Sequence, residues 1–267
     1  VFFVYRYILR ESCSQFDSLP LTSLTISTIS GMITLFNKLL SLPAGLATPT
    51  QVASWKAFRS DLMPKLPTTT VGNDTVIAAA EVISSGRHNG EGPELYAVHP
   101  HRVFTKGRQV ATGLDISLGE STVKNSGWGA QGVGWSYGIN AHALIGDAAG
   151  AATQLLSRSV GTKPTAGYRF PGFAPHEQDF EPSADHFANM NRALQEMLIQ
   201  SGDDGFATTT IVLFPAWPCN WDADFKLWGP LQTSVEVVYT AGKLVSLVVD
   251  PPSRTGAVKW ANCVTTA

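Results

Sequence analysis

Proton-transfer side chains are densest in the segment from His176 to Asp185, which also contains Glu177, Asp179 and Glu181. Cleavage of a glycosidic bond uses two carboxyl groups, one protonated to donate to the leaving oxygen and one ionised to activate water or attack the sugar. The segment therefore offers the groups that glycosidase chemistry needs. A solvated loop whose Asp185 caps the next helix accounts for the same residues, so this pattern alone leaves both interpretations open.

Two other motifs match catalytic or binding patterns less well. Gly127 to Gly132 has the glycine spacing of a dinucleotide-binding loop, but the preceding residues from Ser117 to Ser126 are polar and do not form the strand that such a loop requires. Ser136 lies between two glycines as in a hydrolase nucleophile elbow, and again the strand is missing. Ser136 is explained more simply as the beginning of a helix that runs to Ile145.

No metal site and no cofactor is expected, because the histidines lack the spacing of a zinc site and the three cysteines form no CxxC pair. The 19 Lys and Arg nearly balance the 21 Asp and Glu, and no stretch forms a basic face. This balance argues against a nucleic-acid partner. No apolar run reaches the ~18 residues of a membrane span, so no membrane partner is expected.

Helical spacing dominates the chain up to about residue 204. A two-residue connection is expected between the helices Trp135–Ile145 and Ala148–Ser157, in which Gly146 ends the first and Asp147 caps the second. Thr50 is expected to cap the helix that starts at Gln51. The predicted helices are Ile33–Leu42, Gln51–Leu62, Trp135–Ile145, Ala148–Ser157 and one that Asp185 opens, and they form helical hairpins or parts of them.

The pattern changes after Gly205 to short runs of β-branched and aromatic residues. Ala241 and Gly242 form a turn between the last two runs. The predicted strands are Thr208–Phe214, Asp224–Leu227, Thr233–Tyr239 and Leu244–Val249. We therefore divide the chain into an unassigned start at 1–30, a helical part at 31–204 and a C-terminal β domain at 205–267.

The order of several motifs resembles family 95 of the glycoside hydrolases and its relatives among the six-hairpin glycosidases. The similarity extends over roughly residues 84 to 250. The motifs are Leu95 to Pro100, Gly134 to Ser136, Ile139-Asn140, Leu144 to Asp147, the Asp185 helix that ends with Glu196 to Ser201, and Val212 to Pro218.

This resemblance implies a mostly α chain, a partial (α/α)6 toroid followed by a small antiparallel β domain. It also implies an inverting exo-glycosidase that acts on α-L-fucosides or α-galactosides, with Asp185 as general base. His186 to Ala188 departs from the Gly-Asn-Phe of the family. The expected contacts to an oligosaccharide or polysaccharide substrate are Glu94, His99, Trp135, Glu177 and Gln178.

Six hairpins need more chain than is present, so we expect this chain to represent the C-terminal portion of a longer enzyme, without its general acid. Extracellular localisation is expected, although no signal peptide is visible. In a secreted protein, Cys219 and Cys263 are expected to pair. Two alternatives stay open: an inactive carbohydrate-binding remnant, and a polysaccharide lyase in which Arg102 or Arg169 neutralises a uronate.

Overall fold

The computed structural model of the chain describes residues 25–82, 92–126, 137–160, 184–202 and 209–263, with only the backbone described at 160 and 184–187. Contacts divide these residues into two compact units. The first unit comprises the described residues up to Val103 together with 117–126, and the second comprises 104–116 and the described residues from 137 onward. Each unit has its own helices and strands.

The first unit begins with a helical hairpin, α1 at Ile26–Leu40 and α2 at Pro49–Leu62. Helix α1 begins seven residues before the predicted Ile33, because Thr25 caps it by accepting a hydrogen bond from the Thr28 backbone N–H. Its buried face repeats at helical spacing through Ile26, Ile29 and Ile33, all fully buried. The last residues of the segment left unassigned at 1–30 thus belong to the core.

Thr48 caps helix α2, not Thr50 as predicted. Thr48 Oγ1 accepts from the backbone N–H of Gln51 at 3.3 Å, and Gln51 Oε1 accepts from the backbone N–H of Thr48 at 2.9 Å. This reciprocal capping box requires a spacing of three residues, which Thr48 has and Thr50 lacks. Helix α2 meets α1, where the rings of Phe36 and Phe58 stack 5.7 Å apart.

A β-hairpin that was not predicted follows, β1 at Thr68–Val71 and β2 at Asp74–Ile77. Its two-residue turn is Gly72-Asn73, and Gly72 takes the positive φ of 60° that such a turn favours. Helix α4, Ser117–Asn125, packs on this hairpin, and the hydroxyl of Thr122 accepts from the backbone N–H of Ile77 at 2.9 Å. Asn73 is exposed.

The second unit contains four helices among its described residues, in chain order α3 at Lys106–Thr112, α5 at Gly138–Ile145, α6 at Ala148–Val160 and α7 at Ala184–Leu198. The predicted joint between α5 and α6 is confirmed. Gly146 ends α5 with φ +86°, and Asp147 Oδ1 accepts from the backbone N–H of Gly150 at the start of α6. A side chain at Gly150 would collide with His142 and Asp147, which are paired at 2.7 Å.

Helices α5, α6 and α7 pack against one another. Near the start of α5, Asn140 donates to Asn189 in the first half of α7. At the other end, the Ala143 carbonyl accepts from Gln200, just beyond α7. Helices α5 and α7 therefore run in the same direction, and α6, which follows the tight joint after α5, runs the opposite way.

Two three-stranded sheets complete the second unit. One sheet is antiparallel and consists of β5 at Ala223–Gly229, β6 at Thr233–Thr240 and β7 at Lys243–Asp250, with the predicted turn at Ala241-Gly242. The other has the order β3 at Ile199–Ser201, β4 at Ile211–Leu213 and β8 at Val258–Trp260. Strands β4 and β8 are parallel, so the C-terminal strands are not all antiparallel as predicted.

An aromatic core lies under these sheets. The fully buried ring of Phe214 is 5.0 Å from that of Tyr239 and 5.8 Å from that of Trp260. The Tyr239 hydroxyl donates to the carbonyl of Cys219 at 2.9 Å, and Cys219 forms a disulfide with Cys263. The predicted pairing of these two cysteines is confirmed.

The fold is mixed α/β rather than mostly α, because small sheets occur in both units beside the helices. The strands after residue 209 share one core with α5, α6 and α7. Met197, Ala151 and Ala143 belong to the same buried cluster as Phe214 and Tyr239. The boundary between the two compact units therefore differs from the predicted domain boundary at Gly205. Gly205 itself lies outside the described residues.

Candidate functional site

Asp185 is the second residue of α7, where only the backbone is described. The free N–H groups and the macrodipole at a helix N-terminus favour the ionised form of a carboxyl group in the first turn. A general base must be ionised to accept a proton. Its position in α7 is therefore compatible with that role, and the predicted helix start differs from the observed one by a single residue.

Asn140 faces the first half of α7 from a fully buried position on α5. Its Nδ2 donates to Oδ1 of Asn189 at 3.3 Å, and Asn189 lies one helical turn after Asp185. The Oδ1 atom of Asn140 is buried and accepts no hydrogen bond from the part of the chain that the structure describes. A buried amide oxygen in this state calls for a donor such as water or a ligand hydroxyl.

The buried face of α6 changes from apolar to polar along the helix. Ala151 and Ala152 belong to the hydrophobic cluster, whereas Gln154 and Arg158 are buried polar residues further along. Gln154 is 7% exposed and Arg158 is 5% exposed, and their spacing of four places them on one face. Because α6 runs opposite to α7, Arg158 lies toward the end of the bundle at which α7 begins.

Arg158 keeps a buried charge. Desolvation lowers the pKa of its guanidinium to about 10, so the group stays protonated at neutral pH. Within the described ranges, neither Nη1 nor Nη2 finds a hydrogen-bond acceptor, and Oε1 of Gln154 finds no donor. The end of α6 thus combines buried donors with a buried acceptor.

Glu94 and His99, both predicted to contact sugar, belong to the first unit. Glu94 lies within the short 3-10 helix Pro93–Ala97 and His99 lies two residues after its end, and they are 7% and 8% exposed. Asp185 belongs to the second unit. The structure therefore places Glu94 and His99 on one turn and Asp185 in a different unit, while Trp135, Glu177 and Gln178 lie outside the described residues.

His101 lies close to Glu94 and His99 in sequence and makes a defined contact that was not predicted. Ser30 Oγ is 2.7 Å from His101 Nδ1, and Ser30 also donates to the carbonyl of Ile26. The serine proton is therefore committed to the helix backbone, and its oxygen accepts from Nδ1–H. Burial lowers the pKa of His101, so this pair is a neutral structural contact rather than an activated serine.

The sequence analysis proposed Asp185 as a base and gave no role to Asn140, Gln154 or Arg158. Asn140 was noted only as part of the resemblance, and Arg158 lies one residue beyond the predicted helix Ala148–Ser157, which the structure extends to Val160. A local signal did exist, since Ala151, Gln154 and Arg158 repeat at helical spacing on one face. Periodicity does not show whether such a face is solvated or buried.

Among the residues that the structure describes, no group of three His, Cys, Asp or Glu side chains could hold a metal ion. In the same residues, no helix combines the length and the apolar composition that crossing a bilayer requires. Comparisons with protein-family models, curated proteins and solved structures found no match to this chain.

Proposed function

We propose that this chain acts on glycosides as the C-terminal portion of an inverting exo-glycosidase, with Asp185 as general base. The observation that supports the proposal is that Asp185 and Asn140 lie at the same end of the second unit. Asp185 lies in the first turn of α7, and the buried Asn140 of α5 is bonded one turn further along α7 with its Oδ1 still lacking a donor among the described residues.

The helix directions support a partial (α/α)6 toroid as the scaffold. In a toroid of repeated hairpins, the first helices of successive hairpins run parallel and each second helix returns between them. Helices α5 and α7 run in the same direction and contact each other, and α6 follows α5 and packs against both. The beginnings of parallel helices meet at one end of the scaffold, which is where Asp185 and Asn140 lie.

The proposed reaction uses one water molecule. The Asp185 carboxylate takes one proton from the water, while Asn140 Oδ1 accepts a hydrogen bond from the other O–H of that water. Asn189 fixes the orientation of the Asn140 amide. The water oxygen bonds to the anomeric carbon as the bond from that carbon to the leaving oxygen breaks. The leaving oxygen takes a proton from a general acid, which in an inverting enzyme lies roughly 6.5–9.5 Å from the base.

A substrate with a stable leaving group tests the base independently of the acid. Dinitrophenolate leaves without protonation, so 2,4-dinitrophenyl α-L-fucoside and α-galactoside report on water activation alone. We expect the 267-residue chain to hydrolyse at least one of them. Asp185→Asn should lower its kcat by ~10²–10⁴, the usual contribution of a general base.

Asp224→Asn is the matched control, because Asp224 is an exposed carboxylate in the same unit and its substitution changes the charge equally. Proton NMR of the released sugar should show the inverted anomer first. Turnover that is equal in the Asp185 and Asp224 variants would contradict the role of Asp185. Glycoside binding without turnover would favour the carbohydrate-binding remnant instead.

A further inference from the structure

The end of α6 carries a buried charge whose counter-ion is not among the described residues. Arg158 is 5% exposed, and its two terminal nitrogens have no acceptor within those residues. An unpaired buried cation is destabilising, and arginine cannot relieve it by losing its proton at neutral pH. A ligand that brings a negative charge to this position would remove the penalty.

The geometry of guanidinium narrows the class of anion. Its two terminal nitrogens form a planar fork that matches the two oxygens of a carboxylate in parallel hydrogen bonds. One turn earlier on the same face, the buried Gln154 Oε1 accepts no hydrogen bond from the described part of the chain. An amide oxygen needs a donor such as a hydroxyl group, which a simple carboxylate does not carry.

We propose that Arg158 and Gln154 form a buried binding site for a sugar acid, in which Arg158 holds the carboxylate and Gln154 accepts a hydroxyl. The sugar part of this inference rests on the proposed glycosidase function, whereas the anion part rests on Arg158 alone. The site extends the substrate class from neutral glycosides to those that contain a uronic acid. Its position fits, because α6 ends toward the same end of the bundle at which α7 begins.

The test is the equilibrium binding of D-galacturonate, D-galactose and acetate to the full chain, measured by isothermal titration calorimetry at pH 7. We expect galacturonate to bind about 10-fold or more tightly than either of the others, the size expected of a hydrogen-bonded charge. Arg158→Gln should abolish this preference and Arg158→Lys should weaken it, because lysine keeps the charge without the fork.

Arg192→Gln is the matched control, since it removes one positive charge from an exposed position on α7 and should keep the preference. Far-UV circular dichroism checks that each variant is folded, and the comparison of the three ligands with the wild-type chain needs no variant. Equal binding of galacturonate and galactose, or a preference that survives in Arg158→Gln, would overturn the site. Acetate binding as tight as that of galacturonate would overturn the assignment to sugar acids.

The two proposals fail separately. Galacturonate preference without hydrolysis of dinitrophenyl glycosides would contradict the role of Asp185 and support the anion site. Hydrolysis that depends on Asp185, without any preference for galacturonate, would support the base and overturn the anion site.

Discussion

The two compact units bury basic side chains with opposite outcomes. In the first unit, His101 has a pKa lowered by burial, so it stays neutral while Ser30 accepts its Nδ1–H. In the second unit, Arg158 remains charged at neutral pH even though burial lowers its pKa to about 10. A buried histidine can release its proton and become an ordinary polar core residue, whereas a buried arginine cannot. An unrelieved charge is therefore the better indication of function.

The second unit also has the stronger means of stabilisation. The Cys219–Cys263 disulfide and the aromatic rings around Phe214 lie in it, and no disulfide joins described residues of the first unit. Active and binding sites commonly cost stability that the rest of the fold must offset. We infer that the disulfide and the aromatic core offset the cost of Arg158.

The largest expected effect is the loss of the disulfide. It closes a loop with a sequence separation of 44, so replacing both Cys219 and Cys263 by alanine should lower the free energy of unfolding by about 4 kcal/mol according to loop-entropy arithmetic. Tryptophan fluorescence during urea unfolding can follow this, because Trp217 and Trp260 lie against the same core.

Reductant provides the control for this measurement. Dithiothreitol should destabilise the wild-type chain and leave the double alanine variant unchanged. Recovery of both thiols in alkylated form from unreduced secreted protein would show that the bridge does not form. In that case no disulfide would stabilise the second unit.

The next effect has the opposite sign. Arg158→Met should raise the free energy of unfolding of the ligand-free chain by about 1–3 kcal/mol, because a buried unpaired charge is replaced by an apolar chain of similar length. The folded-state pKa lies below the unfolded value, so the cost is fully present below pH 10 and decreases as the pH rises above it.

Urea unfolding at pH 7 measures this change, with Arg192→Met as the exposed comparison that should alter stability little. A destabilised Arg158→Met variant would mean that Arg158 already has a stabilising partner. The contrast between the two buried basic groups would then disappear.

The elements that local chemistry specifies could be predicted from sequence. The Gly146-Asp147 joint depends on a left-handed glycine and a helix cap, both of which are set by neighbouring residues. The β1–β2 hairpin escaped prediction because Thr68 to Thr70 are polar as well as β-branched, so the stretch resembled a loop. Its two-residue turn at Gly72-Asn73 was the available signal.

The candidate site was only partly predictable for a different reason. Asp185 was proposed as a base through the resemblance, because the residues alone left a helix-capping interpretation open. Burial of Asn140 and Arg158 depends on helices that are distant in sequence, and one sequence does not reveal which polar positions on an Ala-rich helix become buried. Long-range packing, rather than local propensity, creates the unpaired groups on which both proposals depend.

The smallest expected effect concerns the pH dependence of the first unit. Because burial lowers the pKa of His101 in the folded state, the unfolded chain binds more protons just below pH 6.5. Stability should therefore rise as the pH increases through this window and level off above it. His101→Asn keeps an amide donor near Ser30 and cannot titrate, so urea unfolding from pH 5 to 8 should show a smaller rise.

Ser30→Ala tests whether burial or the hydrogen bond to Ser30 lowers the pKa of His101. It removes the bonds of Ser30 to Ile26 and His101 and leaves the His101 N–H without its acceptor, so it should cost about 1–3 kcal/mol at every pH. It should keep the wild-type slope because desolvation of the ring is unchanged. An identical slope in the wild-type chain and in His101→Asn would mean that His101 titrates normally. Burial would then not separate His101 from a solvent-exposed histidine, and the contrast with Arg158 would depend on Arg158 alone.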